Sequence, residues 1–104
     1  MKRVAFKMFL KPGMEEEYVK RHNAIWPELR QIIVNQGVFD YSIFLDRETN
    51  ILFAVQKVKG GAGSQVRDES GVIQRWWDYM ADIMEVNPDN SPKQAELVEV
   101  FYME

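Results

Sequence analysis

The apolar residues of this 104-residue chain recur with two different periods, and the order in which the periods alternate restricts what it can fold into. Val4, Phe6, Met8 and Leu10 alternate with Arg3, Ala5, Lys7 and Phe9, a spacing of two that sends successive side chains to opposite faces of a strand. Lys11-Pro12-Gly13 interrupts the chain, and from Met14 the spacing becomes helical. Met14, Tyr18, His22, Ile25, Leu29, Ile32 and Ile33 then share one stripe, with Glu15, Glu16 and Glu17 at the positive end of the helix dipole. Pro27 removes an amide donor and orphans the carbonyl of Asn23, which predicts a kink or a restart there. Gly37 is the expected stop.

Period two returns in 38–46 and 51–58, two strands around the polar turn Asp46-Arg47-Glu48-Thr49-Asn50, and so predicts a hairpin. A glycine-rich connection over 59–63 leads to a second helix, capped by Ser70 and carrying Val72, Ile73, Trp76, Met80, Ile83 and Met84. Asn87-Pro88-Asp89-Asn90-Ser91-Pro92 cannot continue a helix, and 95–103 reads as a last alternating strand. The order is β-α-β-β-α-β. The expected fold is α+β and ferredoxin-like: one domain over 1–104, an antiparallel sheet with both helices on one face. Two helices cover one side of such a sheet, yet Phe39, Tyr41, Ile43 and Leu45 occupy one face of their strand and Val38 and Phe44 the other. An uncovered apolar face calls for a partner, and a homodimer packed sheet to sheet, a dimeric α/β barrel, is the simplest one.

Composition removes several classes of function. Hydrophobic residues at 46% and charged residues at 28% describe a globular chain. The net charge is −3 and the basic residues are scattered, which argues against nucleic acid as a partner. With no cysteine there is neither a disulfide nor a thiol nucleophile, and a single histidine makes a zinc site improbable; no metal and no cofactor are expected. No apolar run approaches ~18 residues, and Met1-Lys2-Arg3 leads into a strand pattern rather than a signal peptide, so the expectation is a cytoplasmic protein without a membrane partner.

The one histidine, His22, lies on the apolar stripe among Tyr18, Ile25 and Trp26. An imidazole in such surroundings is a candidate proton carrier; a hydrogen-bonded core histidine is the plainer alternative. Tyr18 stands one turn before it, and Tyr41 can reach the same space from the hairpin, unless both are core tyrosines with satisfied hydroxyls. Trp76 and Trp77 are neighbours on a helix and diverge by about 100°. Trp76 is therefore expected in the core and Trp77 at its edge, as a ligand wall or a dimer contact. Aromatic faces beside hydroxyl and imidazole groups suit a sugar, whose C–H surfaces stack and whose rim is polar. Gly60-Gly61-Ala62-Gly63-Ser64 lacks the features of a phosphate loop, and the spacing in 87–91 does not fit an EF-hand.

Tyr18-x3-His22-Asn23-x2-Trp26-Pro27-Glu28-Leu29, Tyr41-Ser42-Ile43, Gln74-Arg75-Trp76-Trp77, Met84-x2-Asn87-Pro88-Asp89-Asn90-Ser91-Pro92 and Glu99-Val100-Phe101-Tyr102 resemble, in order and spacing, the L-rhamnose mutarotase family. The resemblance runs nearly end to end. It implies a ferredoxin-like homodimer that interconverts the α and β anomers of L-rhamnose, with His22 as proton donor and Tyr18, Tyr41, Trp76 and Trp77 contacting the sugar. The chain departs from the family at about 60–65, where glycines replace a charged, helix-forming stretch. Two alternatives share the residue pattern: a haem-handling protein or small monooxygenase with His22 on iron, and a sugar binder without activity.

Overall fold

Strand register decides which side chains face inward. In the computed structural model, which describes residues 2–60 and 63–104, the strand β1 (Lys2–Phe9) pairs antiparallel with β3 (Ile51–Val58). Val4 lies opposite Gln56, Phe6 opposite Ala54 and Met8 opposite Leu52. Directly opposed residues share a face, and Phe6, Met8, Leu52, Ala54, Gln56 and Val58 are all buried. The hairpin partner β2 (Val38–Asp46) lies on the other side of β3, and β4 (Ala95–Leu97) pairs with β1, giving a four-stranded antiparallel sheet in the order β2-β3-β1-β4. The hairpin turn is built by Asp46, which accepts from the Glu48 N–H at 3.1 Å and the Thr49 hydroxyl at 2.9 Å, with Asn50 in the left-handed region at φ 60°.

The expected first helix is two. Pro27 does not kink it but begins a new one: α1 (Glu15–Asn23) ends, Trp26 is extended at φ −62° and ψ 130°, and α2 (Pro27–Asn35) starts with proline in its first turn. Proline restricts the residue before it to extended backbone and gives up only an amide that a first turn leaves unpaired. With α3 (Val72–Met80), the described residues form an α+β structure of three helices over the buried face of the sheet. The cap of α3 also differs from expectation. Gly71, at φ 80°, is the N-cap residue, and Ser70 accepts from the Val72 N–H at 3.2 Å. The helix stops at Met80; Ile83 and Met84 lie beyond it, where Lys11 N–H donates to Ile83 O and Glu85 N–H to Phe9 O, both at 2.9 Å.

Three further expectations are corrected. A bulge between Phe39 and Ser42, with Asp40 at φ 48°, inserts one residue into β2 and reverses its parity. Val38, opposite Val58, therefore belongs to the buried face with Ile43 and Leu45, while Phe39 and Phe44 lie opposite Lys57 and Phe53 on the open one. The last strand is three residues long, not nine: 98–104 form no strand, and Val98, Val100, Phe101 and Met103 are exposed. Finally, Trp76 and Trp77 both enter the core, at 9% and 6% exposure. The 100° divergence is real, but α3 is covered on two sides. Trp76 meets His22 of α1 and Trp26 just before α2, and the Arg67 guanidinium lies 5.5 Å from the Trp77 ring. Gly61 and Ala62 of the glycine-rich connection lie outside the described residues.

Gly37 joins α2 to β2 at φ 85°, its carbonyl accepts from Lys59 N–H at 2.8 Å, and an added Cβ would sit 2.8 Å from the Lys59 oxygen. Gly13 has a similar φ, 78°, with open space around it. Left-handed backbone costs a non-glycine residue about 1–2 kcal/mol. In urea denaturation, Gly13→Ala should lose about that much and Gly37→Ala distinctly more; equal losses would remove the contact with Lys59 as a constraint.

Candidate active site

Between the buried face of the sheet and the helices lies a cavity of about 990 Å³, large enough for a monosaccharide and its waters. Tyr18 and His22 enter it from α1, Tyr41 and Ile43 from β2, and Ile73, Trp76 and Trp77 from α3. All five residues singled out in the sequence therefore line one space. The β2 bulge matters here, since it carries Tyr41 between a strand end facing outward at Phe39 and one facing inward at Ile43.

The His22 ring is held on three sides. Tyr18 stacks on it with ring centroids 4.2 Å apart and planes 25° from parallel, and Trp76 meets it edge-on at 5.5 Å and 86°. Its Nδ1 lies 3.1 Å from the backbone carbonyl of Tyr18. A carbonyl only accepts, so Nδ1 carries the proton of that bond and Nε2 is left as the free ring nitrogen. Burial lowers the His22 pKa below the usual histidine value, and the bond to the Tyr18 carbonyl opposes this only in part. The resting imidazole is neutral at physiological pH, with an open lone pair on Nε2.

Both phenols stay protonated. Burial, and then the facing Tyr41, push the Tyr18 hydroxyl far above the ordinary phenol range. Burial raises Tyr41 as well, against the side chains of Ser64 and Gln65, which lie beside its hydroxyl and favour ionisation. Charges sit at the rim. Glu15 accepts both bonds of a bidentate pair with Arg47 at 2.9 Å, outside the aromatic lining. Arg21 anchors the helix that carries His22: it donates to Glu17, to Asp82 and to the Tyr79 carbonyl, each at 2.8 Å. Trp26, which does not line the cavity, meets Trp76 edge-on at 5.1 Å and stacks with Tyr79 at 5.6 Å.

Sequence reasoning missed the polar part of the wall. Ser64, Gln65 and Asn90 line the cavity, and Gln65 and Trp77 also border a smaller space of about 430 Å³ beside 87–94. One signal pointed there. Gln56 interrupts the inward register Leu52, Ala54, Val58, and a carboxamide at such a position needs a buried partner. The described residues hold no cluster of three or more His, Asp and Glu arranged for a metal ion, and no helix among them is long and apolar enough to cross a membrane.

Comparison with known proteins agrees with this arrangement. The family model for L-rhamnose mutarotase matches residues 3–103. L-rhamnose mutarotases from Phocaeicola vulgatus and Bacteroides thetaiotaomicron are each 64% identical over 104 residues, with full coverage of both chains. The crystal structure of the L-rhamnose mutarotase from Formosa agariphila superposes over the whole of both chains with a TM-score of 0.90 at 53% identity. Nothing in these matches supports a haem-handling, monooxygenase or binding-only reading. End-to-end identity of this order, on a chain whose cavity gathers the aromatic and imidazole residues of the resemblance, leaves one conclusion: this chain belongs to the L-rhamnose mutarotase family.

Proposed function

We infer that this protein is an isomerase that interconverts the α and β anomers of L-rhamnose, the activity of the family to which it belongs. The observation that carries the chemistry is His22: a neutral ring, proton committed on Nδ1, with Nε2 free in an aromatic cavity. Pyranose opening needs a proton removed from the anomeric hydroxyl and one supplied to the ring oxygen as the C1–O5 bond breaks. In our reading Nε2 takes the first while a hydroxyl group gives the second, and the aldehyde turns about C1–C2. On reclosure the O5 hydroxyl returns its proton to that group and the imidazolium returns its own to O1; the resemblance implies His22 as proton donor, the role it has in this second half. Trp76 and Trp77 stack on the sugar, and Tyr18 and Tyr41, kept neutral by burial, donate hydrogen bonds.

The assembly belongs to the same reading. The face of the sheet away from the helices carries Phe53 and Val55 from β3 and Phe44 from β2, the last 64% exposed, and 98–104 add Val98, Val100, Phe101 and Met103 beside it. Arg3 ties that tail down by a bidentate pair with Glu99 at 2.9 and 3.0 Å and by lying 3.4 Å from the Tyr102 ring centroid. An apolar area of this kind supports the ferredoxin-like homodimer, each 104-residue domain covering the other's open face. The absence of cysteine supports the cytoplasm as its compartment. Sedimentation equilibrium at micromolar concentration should return about twice the 12.2 kDa chain mass; a folded monomer would exclude the sheet-to-sheet pair.

His22→Asn keeps a polar side chain and removes titration near neutrality. Saturation-transfer NMR between the anomeric protons of L-rhamnose should show exchange reduced by roughly 10²–10⁴, with folding and sugar binding largely retained. Exchange at the wild-type rate above the spontaneous background would remove His22 from the mechanism.

The lowered pKa gives the pH profile its sign. A base that binds its proton less tightly than free histidine keeps activity as pH falls through about 6.5 and loses it only at lower pH. Stability moves the same way: the contribution from the neutral ring is complete above the unfolded value near 6.5 and declines as pH drops through the lower folded value. An acid limb at or above 6.5, or one that persists in His22→Asn, would contradict this assignment.

A further inference from the structure

Gln56 occupies the inward register of β3 between Ala54 and Val58 and is 1% exposed. A carboxamide in that place must find partners at both ends. It finds them in one residue: Nε2 donates to Ser64 Oγ at 2.7 Å, and Oε1 accepts from Ser64 N–H at 3.2 Å. These two bonds hold Ser64 at the cavity wall. Gln65 follows. Its Nε2 donates to Ser64 Oγ at 3.2 Å, whereas its Oε1 is buried and has no hydrogen-bond partner among the described residues. Ser64 and Gln65 both line the cavity, beside the hydroxyl of Tyr41.

A buried carbonyl oxygen without a donor is costly, and sugar hydroxyls are donors. We propose that Gln65 is a specificity-determining residue of the rhamnose cavity, its Oε1 accepting a hydrogen bond from one ring hydroxyl of the sugar, and that Gln56, acting through Ser64, is the positioning residue that holds it there. The proposal rests on the reading of this cavity as the place where the ring opens. A carboxamide neither gives nor takes the transferred protons, so its bond is made equally in the ground and transition states. It acts on KM and not on kcat.

Anomer exchange of L-rhamnose and of its 2-, 3- and 4-deoxy analogues, measured by saturation-transfer NMR on wild type and Gln65→Met, tests this directly. Wild type should pay about tenfold in KM for the loss of one particular hydroxyl, the scale of one net hydrogen bond. Gln65→Met should raise KM for L-rhamnose by about the same factor at near-constant kcat and abolish the penalty for that analogue alone. Gln56→Met should show the same loss of discrimination, and the double variant should be no worse than Gln65→Met, because both act on one bond. If Gln65→Met fails to fold by circular dichroism, Gln65→Asn, which withdraws the same group by one methylene, carries the same expectation. An unchanged KM, or deoxy penalties that all persist, would overturn the proposal. His22→Asn in parallel separates the two readings. Normal loss of kcat there with no effect at Gln65 overturns this inference alone, and unchanged exchange there overturns both.

Discussion

A four-stranded antiparallel sheet offers two broad faces, and this chain has helices for one of them. Burial of that face, with Phe6, Met8, Leu52 and Ala54 beneath Leu29, Ile73 and Met80, is the interaction on which everything else is arranged. Each of these larger side chains, Ala54 apart, contributes about 1.5–3 kcal/mol when fully buried, more than a typical polar contact at the surface. The three helices are short, nine residues each, and none would persist alone. They hold their positions because the sheet does. The cavity is the space between them and the sheet, and the bulged part of β2, with Asp40 and Tyr41, contributes to its lining.

Within that space, desolvation sets the chemistry. The same dryness that lowers the pKa of His22 raises those of Tyr18 and Tyr41, since water is withdrawn from whichever form carries charge. The result is a neutral imidazole beside two neutral phenols, an inventory that would suit the proton transfers of the proposed reaction. Arg21 contributes at a distance: by fastening α1 to Asp82 and the Tyr79 carbonyl it keeps the His22 ring between Tyr18 and Trp76.

Ser64, which follows the glycine-rich connection, is held by a side chain of the sheet. Glycine costs up to ~1 kcal/mol per helical position, and 60–63 adopts no helix among its described residues. Ser64 is bound from the side, by a buried glutamine that meets it at donor and acceptor together. A polar pair of this sort is stable only when both members are present, because either one alone would be a buried polar group without its partner.

The sequence by itself determined the strands of the hairpin, the existence of a break at Pro27, the proton-carrying candidate and the resemblance to the family, because each rests on local period, local chemistry or a motif read in order. His22, Tyr18 and Tyr41 could be grouped on one cavity from stripe and strand alone. Tertiary structure decided the rest. Whether Trp77 is edge or core depends on which segments cover α3, and residues far along the chain supply that cover. The bulge at Asp40 reverses the parity of Val38 and Phe39, a change that alternation cannot reveal because both are apolar. The last strand ends at Leu97 although its alternation continues to Met103; only Ala95, Glu96 and Leu97 pair with β1. Gln56 falls in a buried register whose local pattern does not show its partner, and only the approach of Ser64 supplies one. Periodicity says which residues seek burial; what they are buried against is settled by the packing of distant elements.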